Sequence, residues 1–348
     1  MTCPRLLPLS LRFLLIWIAA VFHGAASSQA WAQEAKRYPP IGTIERLDPR
    51  FDALIPTGAA LERLADGFEW AEGPLWIAKD QVLLFSDIPR NSVMSWSDSA
   101  GIKLFLKPSG YTGNAPRGGE PGSNGLLLDS QARLVLCQHG DRGVARWDPV
   151  AGFTILADRF QGKRLNSPND GVFKSNGDLY FTDPPYGLEG NNADKAKELD
   201  FNGVYRLSKE GQLTLLTKEM SFPNGIAFSP DEKTLYVANS DPKRAIWMAF
   251  DVKDDGTLGT GREFYDATRW VGMRKGLPDG MKVDAAGNLF ATGPGGVLVF
   301  TAKGELLGRI DPGEATANCG FGGDGSTLFL TADMYLCRIK TATKGRGF

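Results

Sequence analysis

Three stretches of this chain, "SPNDGVF" from Ser167, "FPNGIAF" from Phe222 and "LPDGMKV" from Leu277, set a proline, then an amide or acid, ahead of glycine and an apolar run. A fourth, "AEGPLW" from Ala71, puts a glutamate in the same setting. The side chains concerned are Glu72, Asn169, Asn224 and Asp279, two carboxylates and two amides. Gathered at one point, two carboxylates repel unless a cation neutralises them. Oxygen-only donors that mix acid and amide suit one hard divalent ion, Ca2+ better than Zn2+, although Zn2+, Mn2+ and Mg2+ can share such oxygens. The same tripeptides are also ordinary turn formers, because proline presets φ and glycine or asparagine accepts φ > 0. Which reading applies depends on the elements that carry these residues.

Those elements repeat. From residue 70 onward, an x-Gly turn opens an apolar strand, and a second strand follows: "VLLFSDI" from Val82, "RLVLCQH" from Arg133, "DLYFTDP" from Asp178, "TLYVANS" from Thr234, "NLFATGP" from Asn288 and "TLFLTAD" from Thr327. The openings at Glu72, Asn124, Asn169, Asn224, Asp279 and Asn318 are spaced by 52, 45, 55, 55 and 39 residues. Four short strands with tight turns need about 40 to 50 residues, so the pattern predicts an all-β, six-bladed β-propeller with a central metal site. The four donors would then sit at the same end of the channel-lining strands. The sixth unit lacks a fourth strand, and "AALERLADGFEW" from Ala59 is placed to supply it and remove the open edges.

Residues 1–32 read as a secretory signal peptide: Arg5 and Arg12, an apolar run from Leu11 to Phe22, and a small-x-small site ending at Ala32. The expectation is a secreted or periplasmic protein, a lead-in over 33–58 with Pro39, Pro40, Pro49 and Pro56 that packs outside, and one propeller domain over 59–348. Without Arg5 and Arg12 the chain carries 37 basic and 40 acidic side chains, a net −3. That balance argues against nucleic acid as a partner, and no membrane association is expected after cleavage. Cys137, Cys319 and Cys337 show no CxxC spacing and are expected as buried thiols. There is no GxSxG elbow, P-loop, HExxH or GxGxxG after a strand, which removes the usual anchors of serine-hydrolase, nucleotide and zinc-protease chemistry. A closed propeller has no need of a partner, so a monomer or weak homo-oligomer is expected.

"EGPLW", "FTDPPYG", "PNGIAFSPDEKTLYVANS" and "PDGMKVDAAGNLFATGPGGV" together resemble the SMP-30/gluconolactonase family, with more distant similarity to diisopropylfluorophosphatase and the paraoxonases. The resemblance runs from about Glu69 to the last unit. It implies a six-bladed propeller, a catalytic divalent metal and hydrolysis of a lactone, typically of a sugar, to the acid. Its metal ligands fall on Glu72, Asn169, Asn224 and Asp279. The expected chemistry polarises the lactone carbonyl and activates water; Asp279 either takes the proton or attacks directly, and Glu72 joins it as a candidate catalytic carboxylate. His139 in "CQHGDR", the one histidine outside the signal segment, is a candidate base. Asn124, Arg142, Tyr186, Asn239 and Asn318 are candidate substrate contacts near strand ends, and loops 111–120 and 195–202 a candidate lid. A phosphotriesterase-like hydrolase on the same metal, and a non-enzymatic ligand-binding propeller, remain alternatives.

Overall fold

The computed structural model describes residues 38–348. The signal-peptide reading and the first five residues of the lead-in lie outside the described residues. Six antiparallel sheets, five of four strands and one of five, form the blades among the described residues, with a two-stranded ribbon besides. Their innermost strands are Ala71–Ile77, Ser123–Leu128, Gly171–Phe173, Pro223–Phe228, Met281–Val283 and Thr316–Gly322, in blades 1 to 6. These coincide with the six openings read from the sequence, and the architecture is a six-bladed β-propeller.

The ring closes with Glu62–Ala65, which pairs with Tyr335–Lys340 as the outer strand of blade 6. Arg338 reinforces this closure: it donates to Glu62 and to Asp98 of blade 1, and stacks on Tyr38 and Trp96. The lead-in is more regular than expected. Thr43–Arg46 adds a fifth strand to blade 5 against Leu306–Asp311, and Pro49–Ala53 forms a short 3-10 turn that buries Phe51.

The second strands Leu134–Gln138, Leu179–Asp183 and Leu289–Gly293 are buried along their whole length. Both of their faces meet a neighbouring blade, which is why their first three residues read as apolar runs without alternation. The core accordingly divides into six clusters, one at each blade interface; that between blades 4 and 5 packs Trp247 against Phe300 and Leu289. The three remaining cysteines are free and buried, as expected.

Pairing of the first two strands slips within the x-Gly motifs, between Glu72 and Leu75, Ser123 and Leu126, and Pro223 and Ile226. Such bulges re-aim side chains, here toward the axis. The glycine is needed because neighbouring blades touch at this level. A Cβ on Gly225 would lie 2.2 Å from the Asp279 carbonyl oxygen, and one on Gly73, at φ +57, 2.3 Å from that of Asn124. The recurrent motif is therefore a polar side chain delivered to the axis beside a glycine that lets the next blade approach.

Candidate active site

Glu72, Asn124, Asn169, Asn224 and Asp279 come from five blades and line one cavity of about 460 Å³ at one end of the channel. Its walls include Trp70, Pro242, Val271, Leu277 and Ala315, with Glu120, Tyr186, Ser240, Arg274 and Thr316 as polar groups.

Two of the three amides are approached on their nitrogen side. Asn224 Nδ2 donates to Ser240 Oγ at 2.9 Å, and Ser240 in turn donates to the Pro278 carbonyl. Asn169 Nδ2 faces His139 Nε2 at 3.5 Å. The oxygens are left over: Oδ1 of Asn124, Asn169, Asn224 and Asp279 is in each case buried without a hydrogen-bond partner. An unsatisfied buried acceptor costs about 1–3 kcal/mol, so four lining a single cavity need a shared partner.

The carboxylates make the same demand more strongly. Glu72 is 1% exposed and its Oε2 accepts from Gly73 N at 2.5 Å and Asn318 Nδ2 at 2.9 Å. Burial, then the Asp170 charge, pushes its pKa up. Asp279 keeps part of its surface open to the cavity; burial, Glu72, Asp170 and Glu120 all raise its pKa. No Lys or Arg forms an ion pair with Glu72, Asp170 or Asp279 among the described residues. Lys282 lies near enough for its charge to ease Glu72 and Asp170 without pairing with either, and acids left short of a partner beside orphaned amide oxygens fit a hard divalent cation. Among the described residues no three His, Cys, Asp or Glu gather as a ligand set.

Of the other residues anticipated from sequence, Asn124 and Tyr186 line the cavity. Tyr186 stacks on Phe222, and burial followed by the Asp279 charge raises its pKa, so the phenol stays a donor at neutral pH. Four are placed differently from the expectation. Asn318 lies behind the cavity with Nδ2 on Glu72 and on Asp170 (3.3 Å) and Oδ1 on Cys319 N, leaving no group for a substrate. Asn239 is buried and holds Phe222 N and the Arg244 carbonyl. Arg142, at φ +59, turns away and donates to the carbonyls of Leu165, Asn166 and Ala196. His139 is fully buried between Asn169 and Glu120, off the cavity wall, and so is placed to position neighbours rather than to take a proton from substrate. The segment 195–202 borders other surface clefts; of the expected lid only the Tyr111–Glu120 loop reaches this cavity, through Glu120.

Two residues escaped the sequence reading. Asp170, the acid next to Asn169 in the same motif, is a third buried carboxylate whose Oδ1 accepts from Gly171 N at 2.8 Å. Glu120 lies in a glycine-rich loop, "RGGEPG", that carries no periodic signal.

The SMP-30/Gluconolactonase/LRE-like region matches residues 70–333. A gluconolactonase of Zymomonas mobilis is 42% identical over 318 residues, 88% of each chain. A solved gluconolactonase from Xanthomonas campestris superposes with a TM-score of 0.77 at 33% identity, covering 89% of this chain and 99% of that one. A lactonohydrolase of Aspergillus oryzae is 29% identical over 58% of this chain and 51% of its own length. The chain belongs to the SMP-30/gluconolactonase/LRE-like family.

Proposed function

We propose that this propeller is a lactone-hydrolysing enzyme that opens a sugar lactone to its aldonic acid, with one divalent cation, Ca2+ by preference, held by Glu72, Asn169, Asn224 and Asp279. The observation that carries it is the set of orphaned oxygens lining one cavity, in a chain 42% identical over most of its length to a gluconolactonase. When bound, such an ion polarises a carbonyl and makes water more acidic.

The chain's own residues supply the rest. Asp279 is the carboxylate placed at the cavity wall to take a proton from attacking water, provided one of its oxygens is free to do so. The Tyr186 hydroxyl and the Asn124 amide border the same space as donors for a bound lactone. Trp70, Pro242 and Leu277 exclude water from one side, which strengthens each polar contact made there. The product is itself an anion among carboxylates, and like-charge repulsion favours its release.

The test is hydrolysis of a lactone panel by pH-stat, after chelation and after single additions of Ca2+, Zn2+, Mn2+ or Mg2+. Loss with chelator and recovery with Ca2+ is the expected result. A folded protein that turns over no lactone with any ion would overturn the proposal and direct attention to phosphotriesters.

A further inference from the structure

We infer that Glu120 is the residue that makes this cavity select hydroxylated lactones over plain ones, by accepting hydrogen bonds from substrate hydroxyls, and that His139 is the positioning residue that holds it. The inference rests on the lactonase reading above.

Glu120 differs from the other acids of the site in being available. Glu72 is buried and already accepts two hydrogen bonds, and Asp170 is sealed behind it. The Glu120 side chain is 35% exposed and lines the cavity; its one ion-pair contact among the described residues is with His139 Nδ1, 3.2 Å from Oε2, and it makes no hydrogen bond that would use up its oxygens. Apart from Tyr186 and Asn124, which face the lactone as donors, the rim offers few free acceptors to a polyol. Trp70, Pro242, Val271, Leu277 and Ala315 are apolar. Arg274 faces Glu45 at 3.3 Å, and the Thr316 hydroxyl donates to the Glu314 carbonyl.

An ionised carboxylate is an acceptor with about four lone-pair sites, and hydroxyls on a lactone ring are donors. A charged acceptor bonded to a hydroxyl is worth more than a neutral pair, and a site built around such a bond discriminates strongly against analogues that lack the hydroxyl. An unsubstituted lactone would leave the carboxylate facing apolar walls.

The carboxylate is also presented on a fixed arm. Asn91 Oδ1 accepts from the amides of Ser109, Gly110 and Tyr111, Thr112 is bonded to Asp141, and Arg117 donates to the Gly140 and Gly187 carbonyls. These contacts tie the loop to Asn91 of blade 1, to the turn that follows His139 and to Gly187. The imidazole lies between the two residues, with Nε2 3.5 Å from the Asn169 amide nitrogen and Nδ1 3.2 Å from Glu120 Oε2, where Nδ1 makes no aligned hydrogen bond and acts on the carboxylate by contact. His139 thus couples the rim group to the cradle without touching substrate.

The experiment compares kcat/KM for D-glucono-δ-lactone and for δ-valerolactone in wild type, Glu120→Gln and His139→Gln, with calorimetric Ca2+ titration of each. For Glu120→Gln the ratio of the two specificity constants falls about tenfold or more, chiefly through KM for the sugar lactone, while Ca2+ affinity stays within about twofold. His139→Gln moves the ratio the same way by a smaller factor. An unchanged ratio overturns the inference. So does an equal loss on both lactones with weakened Ca2+ binding, which would make Glu120 a metal ligand. Wild-type protein inert toward both lactones would remove the lactonase reading itself, and this inference with it.

Discussion

Glu72 and Asp279 carry opposite obligations in the empty and the loaded protein. Without a cation their buried, mutually repelling charges oppose folding; with one, they are its anionic ligands. Glu72→Gln and Asp279→Asn are therefore expected to raise the melting temperature of chelated protein, or leave it level, and to lose most of the stabilisation that Ca2+ gives the wild type. That stabilisation is about 2.7 kcal/mol at a free ion concentration one hundred times Kd. Turnover falls about a hundredfold or more in either variant. Differential scanning fluorimetry with and without chelator, alongside pH-stat rates, checks both parts. Equal Ca2+ shifts in wild type and variants would contradict the ligand assignment.

Among elements, the inner strands decide what the motif residues can do. Gly225 sits where the Asp279 carbonyl of the next blade passes, so a methyl there must push blades 4 and 5 apart at the cradle. Gly225→Ala is expected to cost about 1–3 kcal/mol, the range for overpacking a tight contact. It should weaken Ca2+ binding at the same time, since Asn224 and Asp279 flank the contact. Urea unfolding and calorimetry test this together, and lost stability with unaltered Ca2+ affinity would show that strand spacing does not set the cradle. The same scale explains where sequence reading fell short. The x-Gly openings announced Glu72, Asn169, Asn224 and Asp279 because the polar side chain and the glycine beside it form one local motif, with a bulge added at Glu72 and Asn224. Arg142 and Asn239 share the same chain neighbourhoods, yet each bonds carbonyls of adjoining segments, Arg142 at Leu165 and Asn239 at Arg244, a choice of direction that strand-end position does not encode.

Across the whole molecule, stability depends on clasps between blades as well as on closure of the ring. Glu232, on a turn of blade 4, accepts from the Ser175 hydroxyl (2.6 Å), Lys174 (3.0 Å) and the Ser175 amide of blade 3, and pairs with Arg346 of the C-terminal tail. Burial alone would raise its pKa, but these partners outweigh it and bring the value down to about 2 from 4.5. A depressed folded-state pKa stabilises above the unfolded value, and that contribution is lost as pH falls from about 4.5 toward 2. Glu232→Gln is thus expected to cost on the order of 2 kcal/mol at pH 7, with the gap to wild type closing over that window. Urea midpoints measured from pH 7 to 2 would show it; a gap independent of pH would assign the effect to packing instead. The number of blades, the opening strands and the four polar side chains that reach the cavity were determined by the sequence itself, because period, residue type and turn chemistry are properties of a short stretch of chain. Tertiary structure alone decided that Asn318 braces Glu72, that Asp170 joins the buried acids, that His139 backs Glu120, and which loop reaches the cavity. Each of those depends on which parts of distant blades meet at the axis once the ring has closed.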